Sequence, residues 1–152
     1  MEENSVIESF EMKLNVSAKD FLKETAKWAY FLSIIGYIGI AFLVVIALFA
    51  GTLFAAMAKI NPAVGMMGAS FGIMITVIYL IIAAIYFFPV YYLNKFASNA
   101  KLALKNNDSE TLATSFGYLK SHYKFIGIMT VIIFSLYLLI FVGMFIAALS
   151  NS

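Results

Sequence analysis

Three long stretches of this chain carry no charged side chain: residues 28–58, 60–94 and 125–152. A helix that crosses a bilayer needs about 20 consecutive, mostly apolar residues. Each stretch is therefore long enough to cross once, and the direct reading is three spans. Thirteen Phe, Ile, Leu and Val residues fall between Tyr30 and Ala50, eleven between Gly68 and Phe88, and fourteen between Phe125 and Phe145. At about −0.3 to −0.6 kcal/mol each, the first set favours insertion by about 4 to 8 kcal/mol. A water-soluble helical bundle would need a charged face along every helix, and these runs have none. With 63% hydrophobic residues, 12% charged residues and no Cys, the chain is not a disordered segment, a disulfide scaffold or an ordinary soluble domain.

The spans are placed at about 30–51, 68–88 and 125–147 within one helical domain, 18–149, preceded by a disordered or extended arm over 1–17. Within that arm Phe10, Met12, Leu14 and Val16 alternate with polar residues, a strand period with no second strand to pair with. The acidic opening, Met1-Glu2-Glu3, lacks the basic region of a signal peptide. Ser17 reads as a helix N-cap with Asp20 three residues on. Phe21, Thr25, Trp28 and Leu32 then share a face, with Leu22, Ala26 and Ala29 beside it. The first span ends between Gly51 and Ala58, and Lys59-Ile60-Asn61-Pro62 forms a turn. Pro89 is expected to kink the second span. Trp28, Tyr30, Tyr91, Tyr92 and Tyr123 mark the membrane boundaries, where amphipathic rings settle.

Beyond Tyr92 the spacing stays helical while the composition turns amphipathic. Leu93, Phe96, Ala97, Ala100 and Leu104 form one stripe, and Asn94, Lys95, Ser98, Asn99, Lys101 and Lys105 line the other side. Asn106 and Asn107 turn the chain, Asn107 with Glu110 fits a capping box, and Asp108 is the alternative cap. A new stripe, Leu112, Phe116, Leu119 and Tyr123, leads into the third span. The hairpin 93–123 either packs with the first helix as a bundle or lies on the lipid surface. Small Ala97 and Ala100 favour the bundle. The fold class is all-α: three transmembrane helices with helical cytoplasmic extensions forming a small bundle.

Charge sorting orients the chain. Nine of the ten Lys precede the first span or lie between the second and third, and only Lys59 falls on the far side. The positive-inside rule makes the Lys-rich side cytoplasmic, with the N-terminus inside and the C-terminus outside.

Chemistry-bearing residues are sparse. No Asp, Glu, Lys, Arg or His lies inside a span, which argues against ion-coupled transport. His122, the one imidazole, has no nearby acid in sequence and reads as a solvated interfacial side chain. No nucleophile elbow, phosphate loop or zinc-protease motif occurs, no Cys can ligand a metal, and no Arg is present to read nucleic acid. No cofactor and no enzyme activity are expected. Gly68 with Gly72, Ala47 with Gly51 and Gly143 with Ala147 are small-xxx-small pairs for close helix packing, within one chain or between copies. Lys95, Lys101 and Lys105 recur on one helix side and are candidates for lipid head-group contact.

The runs Lys23-Glu24-Thr25-Ala26-Lys27-Trp28-Ala29-Tyr30-Phe31-Leu32, Phe88-Pro89-Val90-Tyr91-Tyr92-Leu93-Asn94-Lys95-Phe96-Ala97 and Leu119-Lys120-Ser121-His122-Tyr123-Lys124-Phe125-Ile126-Gly127 resemble an uncharacterised family of small bacterial integral membrane proteins, a domain of unknown function. That resemblance covers roughly residues 18–149 and implies a bacterial inner membrane, with no activity, ligand or catalytic residue attached. The expected partners are the lipid bilayer and a second copy or another membrane protein. The functional expectation is a non-enzymatic structural, accessory or partner-binding membrane protein. The alternative is a small homo-oligomeric channel or transporter subunit.

Overall fold

The computed structural model describes residues 15–66 and 69–150. The expectations for residues 1–14 and for Gly68 lie outside the described residues. Four helices follow one another: α1 (Val16–Ile60), α2 (Pro62–Gly65), α3 (Ala69–Asn106) and α4 (Ser109–Ser150). The three long helices have 45, 38 and 42 residues. At 1.5 Å per residue they are roughly 57–68 Å long, about twice the thickness of a bilayer's hydrocarbon core. Each is long and apolar enough to cross a membrane, and each extends well past it.

The caps differ from the sequence expectation in register. Helix α1 starts at Val16, because Asn15 rather than Ser17 is the N-cap: its Oδ1 accepts from the Ala18 N–H at 2.7 Å. Lys59 and Ile60 remain helical, and the break falls on Asn61 alone. The Asn61 N–H donates to the Met57 carbonyl, while its side chain accepts from the Ala63 N–H. Pro62 occupies the first turn of α2, where a missing N–H is harmless.

At the other turn, Asn107 is not an N-cap. It takes a left-handed φ of 51° and closes α3, and the following Asp108 N–H reaches back to the Ala103 carbonyl at 3.0 Å. That is a Schellman C-cap, in which Asn substitutes for the usual Gly. Asp108 is then free to cap α4. Its Oδ1 accepts from the N–H groups of Glu110 and Thr111 at 2.9 and 3.2 Å, and its Oδ2 accepts from the Thr111 hydroxyl.

Helix α3 sits in the middle, antiparallel to α1 on one side and to α4 on the other. Matched contacts give the register of the first pair: Phe54 with Phe71, Gly51 with Gly72, Gly36 with Val90 and Ser33 with Asn94. Phe88 with Phe125 and Phe96 with Phe116 do so for the second. The hairpin is a bundle, because Ala26 and Ala29 of α1 close on Phe96, Ala97 and Ala100 of α3, backed by Leu22, Leu93, Tyr118 and Leu119. Water at this end makes apolar burial favourable, which lipid would not.

Two predicted faces are rotated. On α1 the packed side is Leu22, Ala26, Ala29 and Ser33, whereas Phe21, Trp28 and Leu32 are exposed. On α4 the packed stripe runs through Leu112, buried Ser115, Leu119 and His122, and Tyr123 points outward. On α1 the smaller residues face the neighbour, since they allow the axes to approach, and on α4 the one fully buried side chain of the stripe is small Ser115.

The Asp108 cap has a pH signature. The Thr111 hydroxyl and backbone N–H hold its carboxyl below the ordinary value of 3.8. A lowered pKa contributes stability that is present above the unfolded value and lost as pH falls through the folded one. Thermal unfolding in detergent should therefore find Asp108→Ala less stable than the parent at neutral pH. The gap between the two should close as pH drops below about 4.

Candidate functional site

The α1–α3 seam is built from small side chains at alternating spacings of three and four. Ala26, Ala29, Ser33, Gly36, Ala47 and Gly51 lie along α1 against Gly72, Ala83, Val90, Ala97 and Ala100 of α3. In lipid no hydrophobic force draws helices together, so close packing and interhelical hydrogen bonds do that work. A Cβ on Gly36 would lie 2.7 and 2.9 Å from the two methyl carbons of Val90, so the backbone there has been admitted only because Gly has no side chain. Gly72 rests on Gly51, with its Cβ position 3.4 Å from the Gly51 Cα. Thus Gly51 and Gly72 meet inside one chain, and Ala47, one turn before Gly51, is buried. Gly143 has nothing within 4 Å of its Cβ position, and Ala147 is exposed.

Among the described residues one polar bridge crosses the seam. Ser33, fully buried, donates to the Tyr30 carbonyl at 2.7 Å and accepts from the Asn94 side-chain N–H at 2.9 Å. Asn94 was expected on the solvent side of its helix. It turns inward because a buried hydroxyl still has acceptor capacity to satisfy.

The lysines divide. Lys101 lies over the Tyr30 ring with Nζ 3.9 Å from its centroid, and Lys95 stands 5.7 Å from the Tyr91 centroid. Lys101 and Lys105 share a concavity with Lys23 of α1 and Leu104, whereas Lys95 does not line it. None of these lysines is ion-paired with a described residue. The boundary aromatics form a chain of ring contacts: Phe87 stacks on Tyr91 at 6.0 Å, Tyr91 meets Tyr92 edge-on, and Trp28 meets Phe31 edge-on.

The third feature is a fork. Below it, α3 and α4 are in contact; above it, α4 diverges. Every residue from Val131 to Ser150 is exposed. At the branch point His122 Nδ1 lies 2.7 Å from the Pro89 carbonyl oxygen. A carbonyl only accepts, so Nδ1 carries the hydrogen. His122 is half-buried and hydrogen-bonded, not a solvated side chain as its sequence context predicts. Above it opens an apolar crevice of about 390 Å³. Leu93, Val90, Pro89, Tyr86 and Ile85 form one wall, and His122, Phe125, Ile126, Met129, Thr130 and Ile133 the other. Among the described residues, no three His, Cys, Asp or Glu side chains are grouped to hold a metal ion.

Gly36, the Ser33–Asn94 bridge, Lys23 and the bond from His122 to Pro89 were not singled out from the sequence. The small residues from 26 to 51 do carry a signal, the alternation of three and four that marks a packed helix seam. Nothing local pairs Ser33 with Asn94, 61 positions away, or His122 with Pro89.

These features define a multi-pass integral membrane protein with a tight helix pair and a forked third helix. No family model, curated protein or solved structure matches the chain.

The seam yields a direct test. Gly36→Ala should lower the stability of the folded state in detergent by about 1–3 kcal/mol, the usual range for overpacking. Gly39→Ala, with open space around it, should show no such loss, since Ala at an unhindered helical site is neutral to stabilising.

Proposed function

We propose that this chain is a non-enzymatic, partner-binding membrane protein that acts by lateral helix packing, with the outer half of α4 as its docking arm. The observation that carries this reading is the unbroken exposure of Val131–Ser150. Helices α1 and α3 cover one another along their lengths, whereas among the described residues this arm stands exposed from Val131 to Ser150. Gly143 and Ala147 lie on it at a spacing that lets a second transmembrane helix approach closely. The hydroxyls of Thr25, Thr52, Thr76 and Ser121 each donate to a carbonyl of their own helix. Their hydrogens are thus held within their own helices and not offered to a pore, which favours a packing role over a channel or transporter lined by hydroxyls.

The sorting of lysines and the family resemblance support a bacterial inner membrane, with the Lys-rich end cytoplasmic and the C-terminus outside. Lys101 and Lys105, joined by Lys23, are then placed to meet anionic head groups. Lys95 contributes from the neighbouring Tyr91 position.

The native chain has no Cys, so introduced cysteines report cleanly. Gly143→Cys should form a disulfide with a second copy, or a bifunctional crosslink to another membrane protein, in native membranes. Gly39→Cys should form neither. Equal yields at the two positions would remove the docking arm. Reporter fusions at the two ends should give opposite signals, cytoplasmic at the N-terminus and external at the C-terminus.

A further inference from the structure

We propose that the crevice between α3 and α4 binds a single alkyl chain bearing an anionic oxyacid head, with His122 receiving the head. This inference depends on membrane embedding and not on what docks against the outer half of α4.

The geometry follows one leaflet of a bilayer. On α4 the crevice runs from His122 to Ile133, eleven residues or roughly 16 Å at helical rise. On α3 it runs from Leu93 to Ile85, roughly 12 Å. Half of a hydrocarbon core is about 15 Å. The mouth, at His122, lies level with the boundary rings Tyr91, Tyr92 and Tyr123, and the far end, at Ile85 and Ile133, lies inside the hydrocarbon. A chain entering at the mouth would lie along the membrane normal, as an acyl chain does. The walls it would touch are almost wholly apolar, which suits alkyl packing and leaves little there for a polar group.

The chemistry at the mouth selects the head. The Pro89 carbonyl fixes the hydrogen of His122 on Nδ1. The other ring nitrogen, Nε2, has no hydrogen-bond partner among the described residues. An acid head and an imidazole need one proton between them, and the pair is satisfied whether that proton sits on oxygen or on Nε2. A methyl ester has no proton to give, and an alcohol gains no charge attraction. Lys120 and Lys124, two residues to either side of His122, have no ion-pair partner among the described residues. They point to the other side of α4 from His122 and line no part of the crevice, so they attract anions to this end of the helix only as a general field. Glu24 belongs to the neighbouring groove, which Tyr123 and Leu93 also line, rather than to this crevice. The same head chemistry is offered by a free fatty acid and by an anionic phospholipid that inserts one of its chains.

The test uses the full chain in phosphatidylcholine nanodiscs, with three diazirine probes of equal chain length: a fatty acid, the corresponding fatty alcohol and an anionic phospholipid. Crosslinked peptides are mapped by mass spectrometry. The expected result is labelling concentrated on residues 122–133 and 85–93, with an acid head preferred over the alcohol by about tenfold, which corresponds to 1.4 kcal/mol. Unlabelled fatty acid should compete. His122→Gln keeps a donor for the Pro89 carbonyl and should reduce the preference to near one, while the chain still labels. Ile126→Trp should abolish crevice labelling, and Met129→Trp serves if that variant does not fold. Stronger labelling by the fatty-acid probe identifies a free acid as the source, and stronger labelling by the phospholipid probe identifies the bilayer. Labelling spread evenly over α1 and α4, an unchanged preference in His122→Gln, or crosslinks to a second copy in place of the probes would overturn the proposal.

Discussion

Lipid offers the peptide backbone no hydrogen-bond partner, and that single restriction governs this molecule. Every N–H and C=O inside the hydrocarbon must be satisfied within its own segment, so each apolar run becomes an unbroken helix. Once helical, the runs do not stop at the membrane face. Continuing past it keeps the backbone paired, whereas a break would leave up to four carbonyls to be capped. The chain breaks where capping side chains are available: Asn61 serves two helices at one end, and Asn107 with Asp108 close and open the turn at the other. The rod-like extensions follow from the same rule as the spans.

What joins the rods changes along their length. In water, at the Lys-rich end, Ala26, Ala29, Phe96, Ala97 and Ala100 are held by apolar burial. Within lipid that force vanishes, and the joint relies on close approach, Gly36 beneath Val90 and Gly72 against Gly51, with a hydrogen bond from Asn94 to Ser33 at the boundary. Such a membrane hydrogen bond contributes only about 0.6 kcal/mol on average, so surface fit is the larger part. Helix α4 has no comparable run of small residues facing α3 above His122. Bulky Phe125, Ile126, Met129 and Ile133 stand there, and they keep the axes apart. The fork is the geometric consequence.

Much of the fold was legible because membrane insertion is a one-dimensional property. The number of long helices, the turn at Asn61-Pro62 and the apolar stripe Phe96-Ala97-Ala100 follow from composition and period alone. The first cap was read two positions out, at Ser17 in place of Asn15, and the second stood open between Asn107 and Asp108, because Ser, Asp and Asn all cap and only the local backbone decides among them. The packed faces of α1 and α4 were read toward the large residues Phe21, Trp28 and Tyr123. That weighting suits a soluble core and fails where axes must approach closely. His122 was misread for a different reason: its partner is a main-chain carbonyl, which has no signature in sequence.

By itself the sequence determined how many rods there are, how long they run, and that nine of ten lysines share one end, since charge is excluded from hydrocarbon one residue at a time. Only the tertiary structure decided which rod is central, which glycines touch, and where α3 and α4 part. Those outcomes depend on side-chain volumes meeting across tens of residues, as Ser33 meets Asn94 and Pro89 meets His122, and no local pattern encodes such a meeting.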